Sequence, residues 1–145
     1  MVPIAKGKTM DMLDWVNKYE DKTGEDFIND EGYNLLYDKD RGFCEVSRGQ
    51  DMLIARQMCG DALFWRNTLE DIARNNGLKH IGTYCIRKIK PYIRLFGFKI
   101  YKVENTSAGE RYFCIDKNTG QKAQCSPAWI TKQGLRAYYI TWEVT

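Results

Sequence analysis

The sequence predicts an α/β (α+β) chain built on a single mixed, mostly antiparallel sheet. Three observations carry that expectation. Short apolar runs bounded by turn residues recur along the chain, two stretches carry apolar residues at helical spacing, and the middle of the chain reads in the order β-α-β-α-β. With 145 residues, 43% of them hydrophobic, the chain has enough material for one proper core and too little for two ordinary domains. One domain over 1–145 is expected.

In chain order, Thr9 is placed to cap a helix in which Met12, Trp15, Val16 and Tyr19 share a face and which ends near Gly24. Phe27 to Asn29 reads as one more helical turn. Three short strands in a meander follow: Tyr33 to Tyr37, Phe43 to Val46 and Met52 to Met58, joined by turns at 38–42 and 47–50. Ala62, Trp65, Leu69, Ile72 and Ala73 then form the stripe of a helix packed on a sheet, stopped by Gly77 as its C′ residue. His80 to Cys85 reads as a buried strand. Arg87 to Phe96 reads as a second helix with Ile86, Ile89, Ile93 and Phe96 in register, and Phe98 to Val103 as a strand. Residues 106–134 read as an insertion. It holds a hairpin, Arg111 to Ile115 returning through Gln121 to Gln124, and a short helix over Ser126 to Thr131 with Pro127 at its first position. Ala137 to Val144 is the last strand.

The chemistry-bearing stretch is Asp51 to Arg66, where an apolar strand enters a helix through Gln57-x-x-Gly60-x-Ala62. The first amides of a helix lack intrahelical acceptors and carry the positive end of its dipole, so a phosphate can rest there. Gly60 and Ala62 keep the approach open for it. Asp61 inside the turn would repel that phosphate unless it turns away as a helix cap. Cys59 stands in the same loop, where a helix N-terminus lowers a thiol's pKa.

Gln57, Gly60 and Ala62, in their place between strand and helix, resemble the pyrophosphate loop of the GNAT superfamily of acyl-CoA-dependent N-acyltransferases. Tyr92-Ile-Arg-Leu-Phe-Gly97-Phe98 is similar to the aromatic helix, Gly-Phe turn and strand that close that family's core. The resemblance covers Tyr33 to Glu104, and it implies helices on both faces of the sheet. It also implies acetyl-CoA as co-substrate, a primary amine as acceptor, and direct acyl transfer without a metal. The coenzyme would lie against Ile54, Ala55, Arg56, Gln57, Met58, Cys59, Gly60, Asp61 and Ala62, with amides near Ile54 to Arg56 polarising the thioester carbonyl.

Two departures bear on the catalytic groups. The family's thiolate-protonating Tyr falls here on Ile93, and Tyr92 is one residue early, a rotation of about 100° on a helix. Pro91 either starts that helix or bends it. Tyr92 is the first candidate acid, and Tyr84 the second if Tyr92 faces inward. For the base, Glu45 ranks before Glu104, both on strands neighbouring the loop strand.

Net charge of +3 is too mild to imply a partner, yet it is unevenly spread. Eleven acids lie between Asp11 and Glu45; none lies between Ile72 and Val103, where Arg74, Lys79, Arg87, Lys88, Lys90, Arg94, Lys99 and Lys102 stand. The basic half suits coenzyme phosphates and the acidic half a cationic amine. A second class of function is a non-catalytic GNAT-like domain that binds acyl-CoA or nucleic acid, with Tyr84, Tyr92, Phe96, Phe98 and Tyr101 interleaved among the cations as stacking platforms.

Five cysteines without a C-x-x-C pair and one histidine support neither a disulfide framework nor a zinc site. No apolar run is long enough for a membrane span, and the expected location is the cytoplasm. The 106–134 segment is placed to flank the acceptor site, to make a homodimer contact, or simply to elaborate the sheet edge.

Overall fold

Asp11 caps the first helix: its carboxylate accepts from the Asp14 amide at 2.9 Å while the Asp14 carboxylate accepts from the Asp11 amide at 3.1 Å. This helix, α1 (Met12–Thr23), ends on left-handed Gly24, as expected. The computed structural model describes residues 11–144, so Thr9 lies outside the described residues. Phe27 to Asn29 form no helical turn. The segment runs irregularly over the strand that carries Gln57, where Ile28 donates to Gln57 Oε1 at 3.0 Å and Gln57 Nε2 donates back to the Ile28 carbonyl at 2.6 Å.

The meander is present as β1 (Asn34–Asp38), β2 (Gly42–Arg48) and β3 (Met52–Gly60). After it come α2 (Ala62–Asn75), β4 (His80–Cys85), α3 (Ile89–Leu95) and β5 (Lys99–Thr106), in the β-α-β-α-β order read from the sequence. The exit of α2 follows its glycine: Leu78 donates to the Ala73 carbonyl and left-handed Gly77 to that of Arg74. Pro91 sits in the first turn of α3, which begins at Ile89 rather than Arg87 because a proline there costs no internal hydrogen bond.

The rest of the chain is strand: β6 (Gly109–Ile115), β7 (Lys122–Ile130) and β8 (Arg136–Glu143). The short helix expected over Ser126 to Thr131 is not there. β7 runs on through it because Ser126 and Pro127 pair with Tyr139 and Tyr138, while pairing to β6 ends at Cys125. Beyond that point one edge of β7 is free, where a residue without an N–H is tolerated.

All eight strands form one sheet in the order β1-β2-β3-β4-β8-β7-β6-β5. Only β3 and β4 are parallel among these pairs, joined by the α2 crossover. The expected architecture, an α/β GNAT-like sheet with helices on both faces, is corrected here. The described chain is 44% strand and 25% helix, a strand-rich mixed sheet with three helices. The reason is the 106–134 segment: it adds β6 and β7 to the body of the sheet, between β8 and β5, so it neither hangs off an edge nor supplies a helix.

Side chains along β2 alternate between two cores. Cys44 and Val46 join the main one with Trp65, Leu69, Tyr92, Phe96 and Trp142, whereas Phe43 joins Trp15, Tyr19 and Cys59 under α1. Arg66 ties α2 to the hairpin: its guanidinium is 2.9 Å from Asp116, donates to Gln121 Oε1 at 2.8 Å and the Phe96 carbonyl at 2.6 Å, and lies over the Phe98 ring. Among the described residues no helix is long and apolar enough to cross a membrane.

Candidate functional site

Two residues of β3 face one residue of β2. Cys44 pairs with Met58 and Val46 with Ala55, leaving Glu45 opposite both Arg56 and Gln57. Such a bulge bends its strand and re-aims side chains. Glu45 is fully buried; its Oε2 accepts from Gln57 Nε2 at 2.9 Å and lies 3.3 Å from Arg56 Nη2, while its Oε1 has no hydrogen-bond partner among the described residues. An unsatisfied buried carboxylate oxygen costs about 1–3 kcal/mol or more, which a ligand able to donate to it would recover.

The bulge coincides with the parting of the parallel pair. Register between β3 and β4 stops at Ala55↔Thr83, and a cavity of about 230 Å³ opens where the strands diverge. Arg56 and Gln57 line one side and Tyr84 and Ile86 the other, with Tyr19, Glu25 and Trp129 among the remaining walls. Tyr84 is held in place between Trp129 at 5.4 Å and Tyr139 at 4.8 Å, and no side chain fits at Gly82 because the Tyr139 hydroxyl lies over it. Burial, then the Glu25 and Glu45 carboxylates, push the Tyr19 hydroxyl above the usual tyrosine range, so it stays a proton-bearing donor at neutral pH. Arg56 also pairs with Asp30 at 2.8 Å and lies over the Tyr33 ring.

Of the candidates named from sequence, Arg56, Gln57 and Tyr84 line this cavity, and Glu45 is buried against Arg56 and Gln57. Ile54 and Ala55 lead into the bulge from β3, and Met58 and Ala62 belong to the main core. Tyr92 faces inward: it is buried, its hydroxyl donates to Met58 Sδ at 3.6 Å, and burial pushes its pKa up. Tyr84, the second candidate acid, is the one of the two that lines the cavity. Glu104 lies on β5 at the far edge of the sheet, paired with Arg111 at 3.2 Å.

The expected phosphate cradle is closed from within. Asp61 turns back as the cap of α2, accepting from the Phe64 amide at 3.0 Å and pairing with Arg41 at 2.6 Å. Those contacts hold its carboxyl below the usual range and put an anion at the helix end where a phosphate was expected. Gly60 is fixed by packing rather than by a ligand: at φ +111° its Cα lies against the Arg41 carbonyl, which an added Cβ would overlap. Cys59 is buried under α1, and burial raises its thiol despite the nearby Arg87, Lys18 and Lys22, the reverse of activation.

Tyr19, Glu25, Asp26, Ile28, Ile86 and Trp129 also line the cleft and were not singled out from the sequence as site residues. Trp129 comes from the 106–134 segment, which thereby flanks the site. The turn after β7 docks on the end of α1, with Lys132 donating its amide to Glu25 Oε1 at 3.3 Å. Of the five aromatics read as stacking platforms, Tyr92, Phe96 and Phe98 are buried. Neither the protein-family models nor the curated proteins contain a match to this sequence.

Proposed function

We propose that this chain is an acyl-CoA-dependent N-acyltransferase that moves an acetyl or short acyl group to a primary amine in the cleft between β3 and β4. The observation that carries the reading is the parted parallel pair with the half-satisfied Glu45 carboxylate at the bulge beside it. A cavity of about 230 Å³ lies below the usual range for whole ligands and suits the reacting ends of two substrates, an amine head and a thioester carbonyl. Parting removes β4 as a partner for β3 beyond Ala55, and amides there supply the donors that a developing oxyanion needs.

In this reading the ammonium group sheds one proton to solvent on entering the cleft, the neutral nitrogen attacks the carbonyl carbon, and it gives its second proton to Glu45 Oε1. The new C–N bond forms as the C–S bond breaks, and the departing thiolate takes the proton of the Tyr84 hydroxyl. Glu25 and Asp26 at the cleft favour an amine that arrives as a cation. The five cysteines are unpaired, which fits action in a reducing cytoplasm. The test is calorimetric titration with acetyl-CoA followed by an amine screen that reads free thiol; no binding and no thiol release would overturn the reading.

A further inference from the structure

Beyond the cleft, a hollow of about 400 Å³ lies between the end of α1 and the start of α3, lined by Lys22, Arg87, Lys88 and Gln133 over an apolar floor of Pro91, Leu95 and Leu135. It continues into a second hollow of about 400 Å³ that shares Arg87, Lys88, Pro91 and Leu135 and adds Lys90. Lys18 stands close enough to Lys22 for the two charges to repel, as does Arg87. None of Lys18, Lys22, Arg87 and Lys88 makes an ion pair with another described residue; the Arg87 guanidinium lies over the Tyr92 ring at 5.1 Å and the Lys18 ammonium over the Trp15 ring at 5.1 Å.

Like charges drawn to one hollow without a counter-charge raise the free energy of the empty protein, and an anion of two or more charges removes that cost. The neighbouring helix end of α2, by contrast, already holds its own carboxylate in Asp61. We propose that this hollow is the binding site for the diphosphate of a phosphorylated ligand, held by the side chains of Lys22, Arg87 and Lys88 rather than by the amides at the start of α2. The apolar floor takes an uncharged arm of the same ligand. Identifying that ligand as coenzyme A rests on the reading above; the diphosphate site does not.

The test is calorimetry at low ionic strength with inorganic pyrophosphate and with coenzyme A, on the wild type, on Lys22→Glu with Arg87→Glu, and on the gentler Lys22→Gln with Lys88→Gln. Circular dichroism confirms that each is folded, and Arg41→Gln beside Asp61 serves as the control. Each lost charge-assisted contact weakens binding by at least about tenfold. The site stands if pyrophosphate binds the wild type, is weakened in both double variants and is unchanged in Arg41→Gln. If coenzyme A then fails to displace pyrophosphate, the site survives and the acyl-CoA reading falls. Coenzyme A binding that neither double variant weakens overturns the site and leaves the acyl-CoA reading in place. A wild type that binds neither anion overturns the site outright.

Discussion

Gln57 Nε2 lies 2.9 Å from Glu45 Oε2 and 2.6 Å from the Ile28 carbonyl, so one amide group joins β2, β3 and the irregular segment after α1. Its two N–H groups are thereby both committed. That leaves the second carboxylate oxygen of Glu45 without a hydrogen-bond partner among the described residues, at the bulge that sets Arg56 and Gln57 together opposite Glu45.

Glu45→Gln keeps the side chain's shape and its ability to accept from Gln57 while removing the charge. Turnover should fall by about 10²–10⁴-fold, the usual loss for a general base, with acetyl-CoA binding unchanged. Steady-state rates alongside calorimetry check both halves. A variant that turns over like the wild type would show that the carboxylate only packs the bulge.

Tyr84→Phe and Tyr92→Phe should separate cleanly. The Tyr92 hydroxyl is buried against Met58 Sδ, so its removal should leave turnover within about twofold. Loss of the Tyr84 hydroxyl at the cleft should slow turnover by about 10²-fold without changing coenzyme affinity. Thiol-release assays on both variants decide it, and equal rates would remove Tyr84 from the mechanism.

How much of this was legible in the sequence follows from how far each signal reaches along the chain. The α2 stripe and its Gly77 exit are local patterns, and both were read correctly. Pro127 gave a local helix-start signal that tertiary pairing overrode, since β8 offers partners to Ser126 and Pro127 and β6 asks nothing of them there. In the site, Gln57 and Arg56 stood out because they adjoin the turn. Glu45 carries no local sign of its burial, because its environment depends on a one-residue bulge in the pairing with another strand. Trp129 had no signal at all. It reaches the cleft only because β7 lies two strands from β4 in the sheet order, a relation no neighbouring residue encodes.

Arg66 is buried, and its guanidinium meets Asp116, Glu70 and Gln121. Arg66→Met would leave buried Asp116 without its cation and Glu70 with Arg74, at 3.5 Å, as its remaining one, at a cost of about 3–5 kcal/mol, which lowers the melting temperature by roughly 10 °C. Burial pushes the Asp116 carboxyl up, but the Asn118 amide and Arg66 outweigh it and hold it below its ordinary 3.8. A carboxyl with a lowered folded-state pKa adds stability that is present above 3.8 and lost as pH falls through the lower folded value. Urea midpoints of the wild type should therefore fall as pH drops below about 4, and the fall should be shallower in Arg66→Met.

Gly60→Ala should destabilise the protein by more than about 2 kcal/mol, whatever the protein binds. Gly60 pairs with Gly42 at the open end of the β2–β3 ladder, φ is +111° at one and +104° at the other, and a Cβ on either would overlap the facing backbone carbonyl. The glycine of Gln57-x-x-Gly60-x-Ala62 is thus required by strand contact alone. Thermal melts of Gly60→Ala and Gly42→Ala should show similar losses, because the clash is reciprocal. A Gly60 variant as stable as wild type but unable to bind coenzyme would instead restore this turn as a ligand cradle. Loss of coenzyme binding in an unstable Gly60 variant carries no information about phosphate, which is why Lys22 and Arg87 are the informative positions.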